Sequence, residues 1–81
     1  MGVSPDDMRA EAARLEREAA LLERFAADRL AGSAALYRGG SSTFVRSLDV
    51  ADGYRKEAAG LRERAAQFRR AADWYERRDG Q

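Results

Sequence analysis

Fourteen acidic and fifteen basic side chains, with three tyrosines, make up the titratable equipment of this 81-residue chain. It contains neither Cys nor His, which excludes disulfide scaffolds, Cys/His zinc sites and imidazole-based catalysis. Glu16 with Glu23, and Glu11 with Glu18, are spaced to line up on one side of a helix. Helical bundles build di-metal sites from such pairs, but they normally add His to the glutamates. Here the acids stand among arginines, the composition of a solvated, salt-bridged surface. No catalytic residue, metal or cofactor is therefore expected, and the chain reads as non-enzymatic. Ser41-Ser42-Thr43 follows two glycines but lacks the Gly-Lys-Ser/Thr ending of a phosphate loop, so it reads as a turn leading into a helix.

Arg55, Lys56, Arg62, Arg69, Arg70 and Arg77 fall on adjacent columns of one helix and offer a ridge for a phosphate backbone. Glu63 and Glu76 interrupt that ridge, and no aromatic stacking platform or groove-reading motif accompanies it. Nucleic-acid association is thus a minor alternative. Net charge is +1, yet residues 1–30 carry an excess of acids and residues 31–81 an excess of bases. Halves of opposite sign suit packing against each other.

These charges must ride on helices. Ser4 reads as an N-cap, Pro5 as the first helical residue, and Asp6 and Asp7 sit beside the positive end of the dipole. Val3 and Met8 are spaced for a hydrophobic staple. Met8, Ala12, Leu15, Ala19, Leu22 and Ala26 then alternate by four and three, a heptad seam. The first helix is expected to run from about residue 5 to 38, through Gly32-Ser33, until Gly39-Gly40 breaks it.

A second helix, about 42–78, repeats the pattern with Tyr54, Ala58, Leu61, Ala65, Phe68, Ala72 and Tyr75. Ser42 and Ser47 are alternative caps for it, and Asp79-Gly80 ends it. Large residues and alanines alternate in both seams. An antiparallel hairpin sets each large residue over an alanine when paired residue numbers sum to 80, as in Leu15 with Ala65 or Ala12 with Phe68. The same register puts the turn at Tyr37, Gly39 and Gly40, and sets Glu16 and Glu23 facing Arg55, Arg62 and Arg69. The fold expected is all-α, one domain over residues 1–81.

A second alanine column, Ala13, Ala20, Ala27 and Ala34, flanks the first seam, with Leu21 and Phe25 towards its other flank and Trp74 off the second. An apolar stripe this wide suits a helix with two neighbours. A four-helix bundle made by dimerisation is the expected completion, with a second copy or another helical protein as partner. Tyr75 is expected in the core. Leu21, Phe25 and Trp74 are candidate partner contacts. No apolar run reaches the roughly 18 residues of a membrane span and no signal-peptide core follows Met1, so a cytoplasmic location is expected. Fourteen Arg against one Lys, without Asn or Ile, fit a GC-rich coding genome such as those of actinobacteria or their phages.

Tyr37-Arg38-Gly39 at the turn, Tyr75-Glu76-Arg77-Arg78-Asp79 near the end, the Val3-Ser4-Pro5 opening and Phe44 after the turn give the chain a family likeness. It resembles the WXG family of small helical hairpins, substrates of type VII secretion systems, with Tyr in place of the family's Trp. The resemblance implies pairing into four-helix bundles. It also implies a composite export signal from one subunit's turn and its partner's Tyr-X-X-X-Asp/Glu, here Tyr75 and Asp79. Secretion through a type VII system is the alternative location.

Overall fold

The computed structural model describes residues 4–36 and 41–79, with side chains described over 4–32 and 45–79. Two helices fill these ranges, α1 over Pro5–Leu36 and α2 over Ser41–Asp79. Arg9 meets Asp73, Glu16 meets Arg69 and Glu23 meets Arg62, so the helices run antiparallel. The result is an all-α hairpin, a rod of 64 × 19 × 13 Å.

The start of α1 follows from local chemistry. The Ser4 hydroxyl accepts a hydrogen bond from the Asp7 N–H at 3.1 Å, and the Ser4 carbonyl accepts one from the Met8 N–H at 3.0 Å. The first bond satisfies one of the donors that a helix leaves open at its first turn, and the second is the first regular bond of the helix ladder. Val3 of the proposed staple, and Tyr37, Arg38, Gly39 and Gly40 of the turn, lie outside the described residues. The expected end of α1 near residue 38 lies outside the described residues, and α2 runs from Ser41 to Asp79, one residue beyond the expected range at each end. Shifts of one or two residues are ordinary where the last turn frays. Gly32 and Ser33 lie within a continuous α1, and Gly53 lies within α2. Ser47 is no cap: it sits inside α2, only 4% exposed.

The core is a single seam. Ala12, Leu15, Ala19 and Ala26 of α1 and Ala51, Ala58, Ala65 and Ala72 of α2 are buried. Ala12, Leu15 and Ala65 form its centre, with Leu61 and Phe68 packed against them. Met8, Leu22, Tyr54, Leu61 and Phe68 are half-buried. This division follows from two helices packing alone. Alanine lets the backbones approach, and the large residues lie across facing alanines, Leu15 enclosed and the others with an outer edge in water because no third helix covers them.

Tyr75 departs from expectation. It is 41% exposed and not a core residue. In the sum-80 register it stands level with Pro5, where α1 begins, so the seam has run out of opposing helix. Towards the turn the seam extends instead through Ala51 and Ser47, both buried.

Candidate protein-association site

The two long edges of the seam differ in chemistry. On one edge α1 presents Arg9, Glu16, Glu23 and Leu30 at intervals of one heptad, facing Glu76, Arg69, Arg62 and Arg55 of α2. The Arg69 guanidinium donates to both oxygens of Glu16, Nε to Oε2 at 3.0 Å and Nη2 to Oε1 at 2.5 Å. Arg62 grips Glu23 in the same two-pronged way, at 3.0 and 2.5 Å. Arg9 pairs with Glu76 and also reaches Asp73 at 2.9 Å. Such bidentate geometry fixes register as well as adding attraction. The ladder stops where Leu30 replaces the next acid, and Arg55 makes no ion pair among the described residues.

Of the expected partners, Glu16 and Glu23 thus take Arg69 and Arg62. Arg70 lies 3.6 Å from Glu63 on its own helix, so three of the six residues of the basic ridge face a carboxylate. The Arg9 contacts were not anticipated. Their signal was present, since Arg9 and Glu76 extend by one heptad the register that relates Glu16 to Arg69, with the charges exchanged.

Hydrogen bonds from Arg14, Arg69 and Arg62 hold the carboxyls of Glu11, Glu16 and Glu23, respectively, below the ordinary glutamate value of 4.5. The folded state therefore binds fewer protons than the unfolded chain around that pH. Its advantage is fully present above the unfolded value and is lost as pH falls through the lowered folded values. The partner arginines are shifted upward and stay charged throughout this window. The melting temperature is expected to be level from about pH 8 to 5 and to fall below about pH 4.5. A Glu16→Gln, Glu23→Gln double variant should show a shallower fall, and an acid limb identical to the parent's would remove these two carboxylates as its source.

The opposite edge is apolar and open. Phe25 lies against Tyr54 at a ring separation of 6.1 Å but stays 45% exposed. Leu21 and Val50 beside them are exposed as well. Towards the free end, Met8, Phe68, Ala71 and Tyr75, with Arg64 and Gln67, line a shallow groove of about 500 Å³. Trp74, 50% exposed, packs edge-on against Tyr75 at 4.9 Å, with the Arg78 guanidinium 5.2 Å over its ring. Between these two apolar stretches Arg14 holds Glu11 at 2.5 Å and reaches Glu18 at 3.3 Å. The pairs of glutamates considered as a metal site are thus occupied by arginine. Ala20, Ala27 and Ala59 beside the ion-paired edge are exposed, while Ala13 and Ala66 are half-buried.

The candidate partner contacts Leu21, Phe25 and Trp74 therefore lie on one edge, and Tyr75 lines the groove at its free end. Asp79 is exposed at the last turn of α2. Val50, one helical turn before Tyr54 on α2, was missed, because it precedes the strongly patterned part of the second seam. No helix among the described residues is long and apolar enough to cross a membrane. Comparison with family models, with curated proteins and with solved structures finds no match for this chain.

Proposed function

We propose that this chain acts by helix–helix association, as one half of a helical bundle whose other half is a second copy or another helical protein. The observation that carries this reading is the state of the core. Among the described residues seven of the eight buried apolar side chains are alanine, while Leu21, Phe25, Val50, Trp74 and Tyr75 remain exposed along one edge. Two helices that leave their large side chains half in water bury too little apolar surface to offset the ordering of the chain. A further pair of helices on the open edge supplies the missing burial.

Sedimentation equilibrium from about 1 to about 100 μM, with helicity followed alongside, tests the reading through mass action. The expected result is a helical species of at least twice the 9.0 kDa chain mass, or a poorly helical monomer that gains helicity with a partner. A fully helical, concentration-independent monomer of 9.0 kDa would refute it.

A second reading, export through a type VII system, draws support from the exposure of Tyr75 and Asp79 on the last turns of α2. A neighbouring gene for a secretion ATPase or a paired hairpin protein would favour export. A surrounding phage gene cluster would favour a host-directed intracellular module.

A further inference from the structure

The glycines of α2 have no explanation inside the hairpin. Gly53 and Gly60 lie one heptad apart, and a Cβ built on either meets no atom within 4 Å. Alanine would fit both positions and stabilise the helix, in a chain that uses alanine seventeen times. Glycine in the interior of a helix at such a position makes sense where a second backbone or a large side chain must come close. Gly53 and Gly60 share their column with Gln67 and Trp74, on the open apolar edge. Seen from either helix, that edge stands about a quarter turn from the seam, the direction in which a second neighbour of a four-helix bundle lies.

We infer that the partner is a second copy of this chain, docked on the open edge with both turns at the same end, so that Leu21 and Phe25 of α1 pack over Gly60 and Gly53 of the partner's α2. This rests on the association reading above and specifies its face, its partner and its orientation. In the sum-80 register Leu21 is level with residue 59 and Phe25 with residue 55. Each large side chain thus falls within about 3 Å, along the axis, of the glycine it would cover. The two-fold axis repeats both contacts, so one short surface supplies four.

The charges agree with this arrangement. Arg64 makes no ion pair among the described residues, although it acts electrostatically on Glu11 of its own chain. Its level on α2 falls between Glu11 and Glu18, two acids on this edge of α1 that share the single charge of Arg14 and so keep an excess of one negative charge. Arg24, on the rim of α1, stands level with Glu57 of the partner. A head-to-tail stack, with α1 on α1 and α2 on α2, would instead set glycine against glycine and leave the gap unfilled. The opposite edge offers no such seat, since its Arg and Glu side chains are already joined to one another across the seam.

Gly60→Leu fills the seat from a position where a Cβ meets no atom of the hairpin within 4 Å. In sedimentation equilibrium it should weaken dimerisation by about 100-fold, since the clash occurs twice in a two-fold assembly. Ala59→Leu, at an exposed alanine beside the ion-paired edge and away from the seat, should dimerise as the parent does and show that a new leucine on α2 is harmless in itself. A spin label on Arg77→Cys, in a chain with no other Cys, should report an inter-copy distance within about 30 Å for turns together, against more than about 40 Å for a head-to-tail pair. A parent dimer that tolerates Gly60→Leu, or labels at the longer distance, overturns this face and orientation while leaving association intact. A poorly helical monomeric parent that folds only with another protein overturns the second copy as partner. A fully helical monomer overturns both this inference and the reading it rests on.

Discussion

Leu15→Ala is expected to lower the stability of the hairpin by about 2–5 kcal/mol, the range for deleting a buried leucine where the surroundings cannot close the gap. Leu15 is 2% exposed and is the one side chain larger than alanine among the buried apolar residues described. It touches the centre of the seam, where Ala12 and Ala65 are fully buried and Leu61 and Phe68 press in from the sides. Alanines have no conformational freedom with which to fill a cavity, and the helices are already held in register by the ion pairs on one edge. Set against a total stability of about 5–15 kcal/mol for ordinary domains, such a loss leaves a small hairpin largely unfolded. The midpoint of urea unfolding, followed by circular dichroism, measures it. A change below about 1 kcal/mol would mean that Leu15 is not the keystone of the seam.

Ala65→Trp should have a comparable effect for the opposite reason. Ala65 is fully buried against α1, level with Leu15, so an indole can be accommodated only by prising the helices apart. Overpacking of a well-filled site costs about 1–3 kcal/mol, and more when the opposing element is a backbone. The same substitution at Ala19, equally buried on the other helix, should act alike. Ala59→Trp, on the exposed face of α2, should leave helicity unchanged. Normal circular dichroism and an unchanged mass for the two seam variants would overturn the sum-80 register.

That register was legible because one rule, large residue over alanine, repeats through six successive layers, and because the acids flanking one seam match the arginines flanking the other. A heptad pattern alone fits again at every shift of seven residues, so the choice among those alignments falls to the turn centred on residue 40 and to the flanking charges. The limits of the seam were harder to read. Ser47 looked like a cap because a hydroxyl after a turn is a common helix start, yet it lies buried in α2, one step of four before Ala51. Tyr75 looked like core because it continues the spacing, but periodicity within one helix cannot tell where the opposing helix ends. Pro5 starts α1 at the same level, so Tyr75 has little to cover it. The apolar edge was visible only in part. Leu21, Phe25 and Trp74 stood out by size, whereas Gly53 and Gly60 gain meaning only once the space around them is known to be open.

The alanine seam also sets how the fold answers to temperature. Burying alanine removes little apolar surface per residue and immobilises no side-chain torsion. The heat capacity of unfolding grows with the apolar surface exposed, so this hairpin should fall below the usual value of about 12–15 cal/mol/K per residue. A small heat capacity flattens the stability curve, and the melt becomes broad and shallow. Warming by a few degrees should then change the folded population less than a tenfold change in the concentration of the proposed partner. On the association proposed above, a chain built in this way responds to how much partner is present more than to how warm its surroundings are.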